Sequence, residues 1–211
     1  MHAMSAHPAK PFSEIVSKEA LGLRLRAIRK NKGFTLKALS AQSGVALSTL
    51  SKAELGQTSL SYEKFVAISW ALGVDMSELF ESKGPHDDAH DSILTSADAT
   101  PKTYSTDNYE IKFLFGDSAQ RIMIPMQAKI LSRKLEDFED YIRHPGQEFV
   151  MVLSGAVQIH FENATIITLK KSESAYFNST LGHKYLSISK EPADILTICT
   201  NIDNTKAVPP P

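Results

Sequence analysis

GFTLKALSAQSGVALSTLSKAELG, residues 33–56, decides how this chain is read. Its spacing predicts two short amphipathic helices broken by a turn at Gly44. Leu36, Leu39, Val45, Leu50 and Ala53 fall where they can pack into one small core. The second helix then presents Ser48, Thr49, Ser51 and Lys52 to the outside. That is the geometry of a helix-turn-helix.

The pattern continues on both sides. An apolar stripe of Leu21, Leu25 and Ile28 predicts a helix from about Ser17 to Lys30, ended by Gly33. Thr35 is placed to cap helix 2, where its hydroxyl can accept a free amide. Helix 3 spans about Ala46 to Leu55 and stops at Gly56. Ser61 caps a fourth helix with Phe65, Ile68 and Leu72 inward, and a short fifth helix, Ser77 to Phe80, follows Gly73. The helical unit is expected over residues 17–81, behind a disordered or extended arm of residues 1–16.

Charge separates this unit from the rest. Lys18 to Lys64 holds nine Lys/Arg against Glu19, Glu54 and Glu63, a net of +6. Residues 84–211 hold 12 Lys/Arg against 17 Asp/Glu, a net of −5. The first part suits a polyanion and the second repels one. With a helix that offers hydroxyls and an ammonium, the expected polyanion is double-stranded DNA, read in the major groove.

Composition narrows the class further. With 42% apolar residues, the chain can bury a real core. It has no apolar run near the ~20 residues a membrane helix needs. MHAMSAHPAKPF lacks the apolar centre of a signal peptide. The single Cys199 excludes an internal disulfide framework and any Cys-based zinc knuckle. The expectation is a cytoplasmic protein without a membrane partner.

Residues 82–103, SKGPHDDAHDSILTSADATPKT, read as a linker. His86 and His90 stand there among Asp87, Asp88 and Asp91, which reads as an exposed loop in preference to a metal tract. From Tyr104 the period changes. EIKFLF, RIMIPMQAKI, EFVMVLSG, AVQIHF, ATIITL, SAYFNS, KYLSIS and DILTICT are short β-branched and aromatic runs bounded by turn residues. They predict a β-sandwich or barrel over residues 104–202, with a disordered tail at 203–211. The fold class is therefore α + β in two domains.

Leu21 to Phe80 resembles the DNA-binding domain of the Cro/C1 (XRE) repressor family, in helix order as well as in the turn. VALSTLSKAELG fits its recognition helix with closing acid and glycine, and LGVDMSELF fits the segment that ends the domain. The resemblance implies that Leu47, Ser48 and Lys52 face base edges, with Thr49 and Ser51 beside them. It implies phosphate contacts at Thr35 and in the Gln57–Thr58–Ser59 loop, which set register while base contacts set sequence. Arg29 and Glu54 match a structural pair tying helix 1 to helix 3. Leu47 stands where polar readers are common; it can touch a thymine methyl or be partly buried.

His144 to Ser187 resembles a cupin, a double-stranded β-helix or jelly-roll barrel. His144, Glu148 and Gly155 fit the spacing of its first motif, and His183 fits the histidine of its second. Ile142 occupies the first histidine position. Ser172–Glu173 stands where Gly-Asp is usual, Gly182 replaces a proline, and Ser187 replaces an asparagine. The resemblance implies a site at His144, Glu148 and His183 for Fe(II), Mn(II), Ni(II) or Zn(II). Regulatory members also keep such residues in a metal-free pocket for an organic ligand, and a purely structural barrel is a third reading. Tyr141, Val150 and Tyr185 are expected beside the site as effector-pocket residues.

The expected function is a sequence-specific transcriptional regulator, with an operator under the helical unit and a small-molecule or metal effector in the barrel. It is expected to be a homodimer, because such helices usually read paired half-sites. The alternative is an enzyme: a mononuclear iron epoxidase family acting on phosphonates shares this two-part build.

Overall fold

The computed structural model describes residues 14–74, 76–80, 101–115 and 122–200. The histidines His86 and His90, most of the linker, and the tail lie outside the described residues.

Capping and apolar spacing account for the helices. Ser17 opens α1 (Lys18–Asn31), and its hydroxyl accepts the Ala20 amide at 3.1 Å. Thr35 opens α2 (Leu36–Ser43) in the same way, with Ala38 at 3.0 Å. Gly44, at φ 72°, then turns the chain left-handed into α3 (Leu47–Glu54). The longest apolar helix is α4 (Tyr62–Leu72), which ends at Gly73. Leu21, Leu25, Leu39, Leu50, Phe65 and Ile68 are buried among these helices. Where α1 crosses α3 there is no room for a side chain. A Cβ on Gly22 would lie 2.2 Å from the Ala53 carbonyl oxygen.

The expected fifth helix is not α-helical. Met76–Leu79 forms a single 3-10 turn, so the bundle has four α-helices among the described residues. Four residues are too few to develop i→i+4 bonding, and Met76, Leu79 and Phe80 are all buried. The Arg24 guanidinium takes the Glu78 carbonyl at 3.0 Å and ties the turn to α1.

Among the described residues, ten strands make two sheets. In chain order they are β1 (Glu14–Ile15), β2 (Lys102–Ser105), β3 (Tyr109–Phe113), β4 (Met123–Ile130), β5 (Gln147–Ser154), β6 (Ala156–Phe161), β7 (Ile166–Lys170), β8 (Ser174–Asn178), β9 (His183–Ser187) and β10 (Ala193–Thr200). The larger sheet runs β1-β2-β3-β4-β10-β5-β8, and the smaller β7-β6-β9. Alternation sets the inward face. On β5 residues 148, 150 and 152 are buried, and on β10 residues 193, 195, 197 and 199. Strand β2 begins at Lys102, inside the stretch expected as linker, and β1 pairs with it in parallel.

The helical unit and the sheets share one core. Phe65 of α4 lies against Tyr104 and Phe113, with Phe80 on the same cluster. The Tyr104 hydroxyl donates to the Leu60 carbonyl at 2.6 Å. Helix α4 therefore meets α2 on one face and the sheet on another.

Candidate functional site

Four side chains converge on Glu148. Strand β5 places its carboxylate inside, 3% exposed. Oxygen Oε1 accepts from the Tyr185 hydroxyl of β9 at 2.6 Å and from the Thr197 hydroxyl of β10 at 2.7 Å. Oxygen Oε2 faces His144 Nε2 at 3.1 Å and His183 Nε2 at 3.3 Å. Cys199 is paired directly across the β5–β10 ladder from Glu148. Its Sγ lies 3.7 Å from His144 Nε2.

The ring nitrogens decide what this cluster can hold. His183 Nδ1 lies 3.0 Å from the Leu181 carbonyl, and His144 Nδ1 lies 3.3 Å from that of Pro145. Only an N–H satisfies a carbonyl, so a neutral ring has its Nε2 lone pair aimed at the carboxylate. His183 Nε2 is buried without a hydrogen-bond partner, its line to Oε2 being off-angle. Two lone pairs facing an anion are repulsive unless a cation lies among them. A divalent cation meets that need, so the donors fit one.

Burial alone pushes the Glu148 carboxyl up. The neighbouring His183 charge and the His144 contact outweigh burial, and Glu148 stays well below the usual carboxylate range. Burial lifts the hydroxyls of Tyr185, Tyr62 and Tyr109 well above the usual tyrosine value, so they remain neutral; Tyr109 accepts the Tyr185 amide at 3.0 Å.

The space beside these groups is small. A cavity of about 30 Å³ is lined by Tyr62, Tyr109, Ile142, Glu148, His183, Tyr185 and Thr197, with apolar neighbours. One water needs roughly 10–15 Å³ on this measure, so the cavity holds a water or two. Organic-ligand pockets run to roughly 300–1,000 Å³. Helix α4 borders the site: Tyr62 forms part of the cavity wall, and Trp70 lies parallel to the His144 ring.

The structure brings His144, Glu148, His183 and Tyr185 together. It does not bring Tyr141 or Val150 to the cavity. Tyr141 is half-buried at the side, with the Lys184 ammonium 4.3 Å from its ring centre. Val150 shares the Glu148 face but packs into the core. Ile142 contributes apolar wall where the cupin pattern has a ligand. The sequence reading missed Tyr62, Trp70, Tyr109, Thr197 and Cys199. Strict alternation in DILTICT was a usable signal, since it puts Thr197 and Cys199 on one face.

The second candidate surface is on α3. Leu50, Ala53 and Glu54 are buried; Ser48 and Lys52 are exposed, Thr49 and Ser51 half-buried. Leu47 is 48% exposed, which places its side chain outside the core. Thr35 and Gln57 are exposed and Thr58 half-buried. Arg29 holds Glu54 through both guanidinium edges, the Nη2–Oε2 bond being 2.8 Å, and also takes the Phe34 carbonyl. Thr49, Lys52 and Thr58 line a polar cleft of about 540 Å³ whose other wall carries Asp107, Asp137 and Glu139. Lys64 and Glu139 form an ion pair across it. No helix among the described residues is long and apolar enough to cross a membrane.

Comparisons with known proteins agree with this division. Residues 25–79 match the helix-turn-helix family model and residues 136–199 the cupin domain model. The HTH-type transcriptional regulator SlrR of Bacillus subtilis (strain 168) is 38% identical over 64 residues, 30% of this chain. The match spans 42% of that protein's length. An HTH_3 family transcriptional regulator from Vibrio cholerae superposes with a TM-score of 0.66 at 22% identity, covering 87% of this chain and 96% of that one. A hydroxypropylphosphonic acid epoxidase from S. wedmorenis gives a TM-score of 0.44 at 18% identity, over 87% of this chain and 98% of that one. The chain is a helix-turn-helix domain joined to a cupin domain.

Proposed function

We propose that this protein is a DNA-binding transcriptional regulator whose jelly-roll barrel senses a divalent cation. The observation that carries the reading is the position of α4. It supplies Tyr62 to the cavity wall, sets Trp70 beside the His144 ring, and packs by another face on α2, which holds the recognition helix α3. An ion at His144, Glu148 and His183 would supply positive charge among their lone pairs. Any change in those side chains meets α4 first. An effector shifts DNA binding only if two states of the protein bind it differently.

The cleft supports a second state. DNA phosphates brought against Lys52 and Thr58 would also meet Asp107, Asp137 and Glu139. The arrangement described here is the weaker DNA binder, and movement of the helical unit off the acidic wall gives the stronger one. In a dimer the same movement would set the spacing of two α3 helices. The epoxidase-type reading needs room for an organic substrate beside the donors, and about 30 Å³ does not provide it.

The test begins with selection of duplexes from a random pool by the full chain, followed by fluorescence anisotropy on the selected sequence. Affinity is expected to fall steeply with salt, with a log–log slope near −0.9 per phosphate contact, and to change on adding Zn(II) or Co(II). A flat salt dependence removes the nucleic-acid reading. A steep one that no divalent ion moves removes the cation-sensing part.

A further inference from the structure

Cys199 stands in the donor cluster although neither cupin motif includes it. Strand alternation points it inward with Thr197, and it is 2% exposed. The β5–β10 register puts it opposite Glu148. One ligand atom each from His144, Glu148 and Cys199 falls within 4.8 Å of the others, and all three residues are buried. The cupin histidine at the first motif position is absent, and Ile142 stands there with no donor. A second observation points to a ligand independently: His183 Nε2, 1% exposed, faces the same carboxylate oxygen from within the cavity with no hydrogen-bond partner.

We propose that Cys199 is a metal ligand that replaces the missing histidine, joining His144 and Glu148 in a site selective for thiophilic divalent ions, with His183 facing the same carboxylate oxygen. The inference rests on the cation reading of the site and narrows it to an ion class. A thiol binds a metal as thiolate, so its proton leaves to solvent as the ion enters and the added charge of the site is +1. Sulfur favours Zn(II), Co(II) and Fe(II) over Mn(II) and Mg(II), which prefer oxygen donors. Mn(II) already binds imidazole donors more weakly than these ions, and the thiolate widens the gap. Thr197 and Tyr185 add specificity through Glu148. They occupy Oε1 with two hydrogen bonds and leave Oε2 turned toward His144 and His183.

Cobalt tests this directly. The full-length protein is stripped with chelator, loaded with Co(II), and examined by absorption and elemental analysis. One equivalent of cobalt with a thiolate-to-cobalt charge-transfer band in the near ultraviolet is the expected result. The band should vanish in Cys199→Ser while cobalt still binds, more weakly than to the natural protein. Zn(II) should displace Mn(II) far better from the natural protein than from Cys199→Ser. Stoichiometric cobalt without the band in the natural protein overturns the role of Cys199 and leaves the cation reading standing. No stoichiometric uptake of cobalt or zinc overturns both. The natural protein's spectrum decides even where Cys199→Ser does not fold.

Discussion

The indole of Trp70 lies parallel to the imidazole of His144, with ring centroids 6.3 Å apart and 3° between planes. One ring belongs to the helical bundle and the other to the donor cluster. The chain has a single tryptophan. Its emission therefore reports on His144 without labelling. Co(II) added to the natural protein is expected to quench that emission, saturating at one equivalent, and His144→Ala should remove the effect. Unchanged emission in a cobalt-loaded sample would sever the link between ion and α4.

Trp70→Ala should separate binding from response. The ion should still bind, while DNA affinity should lose its dependence on the ion, because coupling requires a contact that differs between states. The measurement is anisotropy with and without Zn(II). Full ion response in Trp70→Ala would place the coupling elsewhere.

Lys52 and the acidic wall opposite it act in contrary senses. Lys52→Ala should weaken binding across sequences and lower the salt slope by about one contact. Glu139→Lys together with Asp137→Asn should strengthen binding, since both line the cleft that holds Lys52. Salt titrations of the two variants check this. A weaker Glu139→Lys, Asp137→Asn variant would mean that the wall lies away from the DNA path.

Much of this was legible in the sequence, and the rest was not for physical reasons. The helix-turn-helix was readable because capping and apolar spacing are local: Thr35, Gly44 and Leu50 all act within a few residues. Arg29–Glu54 was readable from the resemblance. The short segment at Met76 lost its helix to burial, which propensity alone does not register. Strand alternation could have separated Tyr141 from Ile142, whose neighbouring positions face opposite sides. Trp70 and Tyr62 were hidden because α4 spacing shows which residues turn inward but not that a second unit meets them. Cys199 was hidden because its register with Glu148 joins residues from distant parts of the chain.

Gly22 carries a structural prediction. A methyl group there would press on the Ala53 carbonyl at 2.2 Å, and backbone cannot step aside as a side-chain end can. Gly22→Ala should cost about 1–3 kcal/mol, as overpacking does. Thermal unfolding measures it. The variant should also bind DNA poorly even below its melting temperature, because α3 is displaced from α1.

Glu63 gives the pH dependence. Burial raises its carboxyl above the usual value, with Glu139 adding to the rise and Lys184 opposing it. Oxygen Oε1 is buried without a hydrogen-bond partner. A raised folded-state value means that the folded chain holds the proton longer than the unfolded one. Stability is therefore favoured below the ordinary carboxyl range and lost as pH climbs through the raised value. Glu63→Gln should melt higher than the natural protein at neutral pH, and the gap should close in acid. Equal melting temperatures at pH 7 would show that Glu63 is better solvated than its burial indicates.

Strand β1 pairs in parallel with β2, and the Val16 amide donates to the Thr103 carbonyl at 3.0 Å. The helical unit is thus joined to the sheet at one edge as well as through the shared core of Phe65, Phe80, Tyr104 and Phe113. Under the proposed function, a shift at that core tilts the bundle about this edge. A helix of 14 residues reaches about 21 Å at 1.5 Å per residue, so a slight tilt there becomes a wide arc at the far end of the bundle. Leverage of this kind lets a displacement no larger than an atom, deep in the barrel, be felt on the outside of the molecule.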